Sequence, residues 1–595
     1  MSKMISTASA FKKSSTLPFR LSAIFASRLS DLIASRLSDL IASRLSAVLA
    51  VGLLAVPTQA GAEQAGLAGL FLSARHAQMS ADPATAAEFY DQALKIDPDN
   101  RGMTFNAYFQ KAQAGDIEGA LPYAAAAYAD RPSLSVAPLL IAIDHYSRGR
   151  FAEARDIIEG ISERSNVGLA LPLLRTWALA PLKTPAEALD SLAPYEGRAE
   201  WRVLAATMSA LVNEYYGQDD AALVYYRALA SQIESHPLSV LRLVTGAFHR
   251  LGHSDEAVAT IAQFREARGE SALWSGYLAQ YEDPDKAPKA VTAQVGMAEA
   301  LYAITRIRMA SARQASGLQL GLVYAHMALY LNPDLDSLRR EVADAMSVRG
   351  QYDSANMMLN AIQPNDPGYL IAQLRLAENF ERQSKTEDAI ALLEELARLR
   401  PTLPEPLISL GDILRNRQRF DEAVATYDRA FSRYPNGEPT SWALYYTRGM
   451  ALERSQNWKR AEADFKRALE LSPEQAQVLN YLGYSWLDQG KNVAEARRMI
   501  ETAVSLRPED GFIIDSLGWA MYMMGEYEDA VVQLERAVTI NTSDPTINEH
   551  LGDAYWQVGR ENEARFQWRR ALSLEPDSEQ AEQLRDKLQR GIARN

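Results

Sequence analysis

His249 and His253 stand four residues apart, a spacing that puts two imidazoles on one helix face and could begin a zinc site. A catalytic zinc helix also needs an acid directly after its first histidine, and Arg250 stands there instead. Gly252, beside His253, marks a turn, so the pair reads as surface histidines. Aspartate and glutamate pairs abound without singling out an acid/base couple. The chain has no phosphate loop of the Walker type, no HExxH and no serine nucleophile elbow. It also has no cysteine, which rules out disulfides, thiolate metal sites, cysteine catalysis and lipid attachment through an N-terminal cysteine. No catalytic residue, metal or cofactor is expected.

The elements that would have to position any chemistry come from a repeat. Alanines at 423, 461, 496, 530 and 564 are separated by 38, 35, 34 and 34 residues. Four residues after each stands a bulky side chain: Tyr427, Phe465, Ile500, Leu534 and Trp568. A second alanine follows at Ala430, Ala468, Ala503, Ala537 and Ala571, then Pro435, Pro473, Pro508 and Pro576, with Thr542 breaking the series once. Upstream in each unit a small residue precedes a bulky one, as in Gly411 with Leu414, Gly449 with Leu452, Gly483 with Trp486, Gly518 with Met521 and Gly552 with Tyr555. Small residues let two antiparallel helices approach, larger ones fill the space beside them, and the proline stops the second helix. Such a pair cannot bury its own apolar face, so pairs must stack.

This pattern resembles the tetratricopeptide repeat. The resemblance implies an all-α, right-handed superhelical solenoid of antiparallel helix pairs, a dozen or more of them. Weaker copies run upstream: Ala389 with Leu393 and Pro401, Ala355 with Leu359, Ala221 with Tyr225 and Ala228, and Ala86 with Tyr90, Ala93 and Pro98. The expected organisation is a leader at 1–62, degenerate helical repeats at 63–285 and 290–370, a well-matched array at 371–576 and a terminal capping helix within 577–595. The segment 282–289, rich in proline and charge, is the expected internal hinge.

In such superhelices the first helix of each pair lines a concave groove. The family's inward positions fall here on Asn480, Tyr484, Trp519, Tyr522, Asp553 and Trp556, the expected protein-binding residues. Buried aromatic anchors contribute about 2 kcal/mol or more each at interfaces. Each ring either lines the groove or packs between adjacent pairs. Relatives that clamp a terminal carboxylate place Lys and Asn at these positions; this sequence does not, which disfavours that mode.

Three strings, LNYLGYSWLDQGKNVAEARRMIETAVSLRPED, IIDSLGWAMYMMGEYEDAV and PTINEHLGDAYWQVGRENEARFQWRRAL, resemble exported Gram-negative proteins of the same type. One subgroup comprises outer-membrane lipoprotein adaptors that bind a carboxyl-terminal processing protease and present cell-wall hydrolases to it. The resemblance covers residues 370–576. It implies proteins or peptides as partners, that protease or those hydrolases among them. The adaptors carry a lipid-bearing cysteine that this chain lacks, so a soluble periplasmic form, peripheral to the outer membrane at most, is implied.

Charge and the N-terminus agree with an exported protein-binding chain. The 595 residues hold 62 basic and 75 acidic side chains, a formal charge of -13. Such a body repels phosphate backbones, which excludes nucleic acid as the expected partner. Arg44, the apolar run from Leu45 to Val56 and Ala60-Gly61-Ala62 compose a secretory signal, cleaved after Ala62 or Ala60. An eight-residue tandem repeat, SRLSDLIA at 27–34 and 35–42, lengthens this leader. The mature chain is expected to lack a membrane span. Two further readings stay open: an enzyme within the degenerate stretch 140–340, and a self-associating structural oligomer.

Overall fold

The computed structural model describes residues 66–131, 134, 136–195, 201–268, 278–286, 290–311 and 315–593. The expected leader at 1–62 lies outside the described residues. Among the described residues there are helices and no strands.

The N-terminal helices fold as antiparallel pairs: α1 (Leu67–Met79) with α2 (Pro83–Ile96), α3 (Arg101–Ala114) with α4 (Ile117–Asp130), and α5 (Val136–Ser147) with α6 (Phe151–Glu159). α7 (Leu171–Leu179) pairs with the short α8 (Pro185–Leu189) and the turn that follows it. α9 (Arg202–Tyr215) pairs with α10 (Asp219–Ala230), and α11 (Leu238–Arg250) with α12 (Ser254–Arg268). A long hairpin, α13 (Ala293–Ser311) and α14 (Ala315–Leu331), comes next. Regular pairing then resumes with α15 (Asp336–Ser347) and α16 (Tyr352–Asn360), α17 (Tyr369–Arg382) and α18 (Thr386–Leu399), and α19 (Glu405–Asn416) and α20 (Phe420–Phe431). The last pairs are α21 (Trp442–Arg454) with α22 (Trp458–Leu471), α23 (Ala476–Asp488) with α24 (Val493–Leu506), α25 (Gly511–Met523) with α26 (Tyr527–Ile540), and α27 (Pro545–Gln557) with α28 (Glu561–Ser573). A single helix, α29 (Ser578–Arg590), closes the chain.

The packing follows the alanine ladder. Ala423, Ala461, Ala496, Ala530 and Ala564 are wholly buried, as are Tyr427, Phe465, Ile500, Leu534 and Trp568. Gly449 and Gly552 show why a small residue must precede each bulky one. A Cβ at Gly449 would stand 2.6 Å from the Phe465 ring, and one at Gly552 would stand 2.5 Å from Trp568. The helices can therefore close on these rings only where no side chain intervenes.

Each tight turn inside a pair needs one residue in the left-handed region. Gly490, Gly525 and Gly559 supply it in the last three pairs, with φ of 65°, 79° and 80°. In the two pairs before them exposed glutamines take the same place, Gln418 (φ 60°) and Gln456 (φ 62°). A left-handed L-residue costs about 1–2 kcal/mol, and glycine's extra unfolded-state freedom takes back about 0.5–1 kcal/mol of any gain. Gln418→Gly and Gln456→Gly should each raise unfolding free energy by about 0.5–1 kcal/mol in a denaturant titration. A loss of stability would show that the glutamine side chain contributes more than its backbone strain removes.

The hairpin α13–α14 departs from simple stacking. α13 packs on α7 and α9, and α14 on α3, α4 and α5, so the hairpin lies mainly against first helices of the N-terminal pairs. One apolar core runs continuously from Tyr108 through both hairpin helices to Leu376. Trp177 on α7 is fully buried, and Gly296 on α13 sits where any Cβ would overlap its ring. The Tyr146 hydroxyl donates to the Trp177 carbonyl at 2.6 Å, and Tyr330 of α14 donates to Asp144 at 3.1 Å. Arg242 of α11 meets the buried Glu299 of α13 at 2.5 Å. Sequence periodicity groups 290–370 as one block of degenerate repeats. In the structure its first two helices pack on first helices of the N-terminal pairs instead, and α15 and α16, which share the same continuous core, form a short pair ahead of α17. The expected hinge at 282–289 reaches into residues 287–289, which lie outside the described residues.

The histidine pair also differs from its reading as a surface feature. His249 is buried, with Nε2 2.7 Å from the Tyr281 carbonyl and Nδ1 2.9 Å from the Ser254 hydroxyl. His253 sits 3.0 Å from Glu256 at the start of α12. The two rings therefore serve separate structural contacts. Among the described residues no cluster of three potential metal ligands occurs.

Candidate functional site: the inner face of the C-terminal array

Residues four apart on a helix share a face, so Asn480, Tyr484 and Asp488 align along α23. Asp515 and Trp519 take the corresponding places on α25, and Glu549 and Asp553 on α27. Helices α19 to α27 pack on their own partners and on adjoining pairs. The hairpin that fills the N-terminal inner face contacts α3, α4, α5, α7 and α9 instead.

The six expected residues divide into two groups. Tyr484, Trp519 and Tyr522 are half-buried on neighbouring first helices. Burial, and after it the carboxylates of Asp515 and Asp488, pushes the Tyr484 hydroxyl up to about 12, so it remains a hydrogen-bond donor at neutral pH. Trp519 lies in a stack, with the Tyr522 ring at 4.6 Å and the His550 ring at 3.9 Å, both nearly parallel to it. Gln557 donates to the Tyr522 hydroxyl at 3.3 Å. Asn480 is half-buried, and its Oδ1 is enclosed without a hydrogen-bond partner among the described residues.

Asp553 and Trp556 are covered. Asp553 is 4% exposed and accepts from Trp568 Nε1 at 2.8 Å and from Lys587 Nζ of α29 at 2.6 Å. Trp556 is 7% exposed, donates through Nε1 to the Ile592 carbonyl at 2.7 Å and packs 5.3 Å from the Trp568 ring. Gly591 presses so closely on this indole that no side chain fits between them. Both residues therefore anchor the terminal helix rather than line an open groove. The signal for this lay in Lys587 and Gly591, which the repeat pattern does not include.

His550 and Asp515, absent from the expected set, belong to the same surface. His550 Nδ1 lies 3.0 Å from both oxygens of Asp515. Burial alone would favour the neutral ring. The Asp515 carboxylate, aided by Asp553 and Glu549, outweighs it and holds the imidazole above its ordinary value. A raised folded-state value means this pair's stabilisation is complete below the unfolded histidine's range. It fades as pH rises through the folded value. Asp515→Asn should leave burial as the main influence, so the His550 ring proton, followed by NMR, should titrate at lower pH than in the parent. An identical midpoint in both proteins would show that Asp515 does not hold the charge.

Comparison with known families fits this geometry. Family models described as tetratricopeptide repeat match residues 374–438, 446–511 and 546–578, and one described as TPR repeat matches 518–559. Residues 374–578 are a tetratricopeptide repeat array. Among curated proteins, the TPR repeat-containing protein PA4667 of Pseudomonas aeruginosa is 30% identical over 163 residues, 27% of this chain and 27% of that one. The BBSome complex member BBS4 homolog of Drosophila melanogaster is 24% identical over 36% of this chain and 42% of its own length. The human protein O-mannosyl-transferase TMTC1, an enzyme by name, is 25% identical over 28% of this chain and 19% of its own length. The chain thus spans well under two thirds of each relative. Solved structures similar in fold include the APC/C hetero-tetramer Cut9-Hcn1, with a TM-score of 0.36 and 16% identity over 89% of this chain and 97% of that one. Yeast Tom70 has a TM-score of 0.33 and 16% identity over 77% of this chain and 96% of its own. Tetratricopeptide repeat proteins bind proteins or peptides. Among the described residues no helix is long and apolar enough to cross a membrane.

Proposed function

We propose that the chain is a non-enzymatic scaffold of the cell envelope that holds a segment of a partner protein against the inner face of its C-terminal tetratricopeptide array. The observation that carries this reading is the contrast between the two halves. The N-terminal inner face is filled by the chain's own hairpin, whereas the C-terminal one presents Tyr484, Trp519 and Tyr522 half-exposed along adjacent first helices. Half-exposed aromatic rings on rigid helices lose little rotamer freedom on binding, which suits them as anchors. The stretch 140–340, where a catalytic domain could have been inserted, is built in its described residues of helical pairs and the hairpin, which supports a binding role.

Placement in the periplasm rests on the leader composition of residues 1–62. The narrower role, an adaptor that brings cell-wall hydrolases to a carboxyl-terminal processing protease, rests on the C-terminal strings and on their likeness to such adaptors. Co-purification from envelope extract should recover partners with the parent protein and lose them with Tyr484→Ala plus Trp519→Ala at unchanged far-UV circular dichroism. If the folded double variant keeps every partner, the C-terminal groove is not the binding surface.

A further inference from the structure

We infer that Trp556 and Gln557 form a site for non-helical main chain at the C-terminal end of the groove, filled in cis by the chain's own Gly591–Ala593 and opened when a glycine-aliphatic segment of a partner displaces them. This rests on the groove reading above and adds to it a built-in competitor.

α29 and the residues after it are held separately. The helix is fixed by Leu584, which is wholly buried, and by Lys587, whose ammonium lies between Glu549 at 2.7 Å and Asp553 at 2.6 Å. The chain leaves the helix at Gly591, with φ 73°. Consecutive carbonyls then meet side chains of α27. That of Ile592 accepts from Trp556 Nε1 at 2.7 Å, and that of Ala593 accepts from Gln557 Nε2 at 2.8 Å. The Ile592 side chain rests, partly buried, on the C-terminal core. These contacts are few and local, so the tail can leave while α29 stays.

The tail reaches the groove aromatics. Gln557 shares its amide between the Ala593 carbonyl and the Tyr522 hydroxyl, and Tyr522 stacks on Trp519 at 4.6 Å. A partner segment lying along Tyr484 and Trp519 toward α27 therefore meets the chain's own last residues. A helix engages its own carbonyls except in its final turn, so a site that reads consecutive carbonyls selects irregular chain. Glycine is required ahead of them, because the backbone is left-handed there and the Trp556 ring stands where a side chain would be. The next residue is aliphatic, because its place is against apolar side chains. Joined directly to α29, the tail competes at an effective concentration on the order of millimolar.

The indole N–H resonance of Trp556 in the isotope-labelled full chain, assigned through Trp556→Phe, tests this. A chain ending at Arg590, which keeps all of α29, should show that resonance displaced, and so should Gly591→Val in the uncut chain. Acetyl-Gly-Ile-Ala-Arg-Asn, the sequence removed, should restore the parent position in the shortened chain at about millimolar concentration and leave the parent chain unchanged. Alanine in place of the peptide's glycine should weaken it about tenfold. Gln557→Ala in the shortened chain should weaken it about fivefold. A resonance that neither tail change moves, or a peptide that fails to restore it or acts equally on both chains, overturns the cis-filled site. If the peptide binds as expected while folded Tyr484→Ala plus Trp519→Ala keeps every envelope partner, the tail site stands and the groove reading falls. Partners lost with that double variant while the resonance never moves would leave the groove standing and overturn only the tail site.

Discussion

Trp568→Ala is expected to cost about 3–5 kcal/mol of stability, the range for truncating a fully buried tryptophan. The ring is 0% exposed, lies against Gly552 and Trp556, and donates its Nε1 proton to Asp553. Truncation leaves a cavity between α27 and α28 and removes one of the two donors that satisfy a buried carboxylate, so the upper half of the range applies. In a solenoid each pair depends mainly on its neighbours, which confines the damage. Hydrogen exchange should therefore rise in α27, α28 and α29 while α3 to α9 keep their protection. Trp568→Phe should restore most of the packing but not the hydrogen bond. A uniform loss of protection along the whole chain would show that the array unfolds as one unit.

Trp177→Ala is expected to cost a similar 3–5 kcal/mol, but with a different spatial signature. Trp177 is the buried ring on which Gly296 closes, so its loss opens the contact between α7 and the hairpin. The hairpin also packs on α3, α5 and α9, and the N-terminal core runs through it without a break. Exchange should therefore accelerate together in α3 to α9 and in α13 and α14. Gly296→Leu attacks the same contact from the other side, where overpacking costs about 1–3 kcal/mol. If either variant loosens the hairpin alone, the N-terminal pairs are self-sufficient and the hairpin only rests on them.

The contacts legible in the sequence are those that recur at short range. Ala461 and Phe465, or Ala530 and Leu534, repeat because each helix meets its partner in the same register in every unit. The contact of Trp177 with Gly296 joins residues far apart in the chain and occurs once, so no periodicity announces it. The nineteen residues of α13 and seventeen of α14, against twelve to fourteen in most repeat helices, were the only local sign. At the site, repeat register located Tyr484, Trp519 and Tyr522 on one surface. It misjudged Asp553 and Trp556 because it treats every unit as interior, whereas the last unit must bury its open end under α29. His550 escaped notice because its partner, Asp515, belongs to the preceding unit.

The hairpin gives the two halves different evolutionary freedom. Inserting or deleting a helix pair between α3 and α9 would shift Trp177 away from Gly296 and Asp144 away from Tyr330, so the length of that half is locked by its internal occupant. Between α17 and α27 each pair touches mainly its neighbours, and whole units can be duplicated or removed without redesigning the rest. The C-terminal half can thus change its span to suit a new partner while the N-terminal half stays a fixed mount.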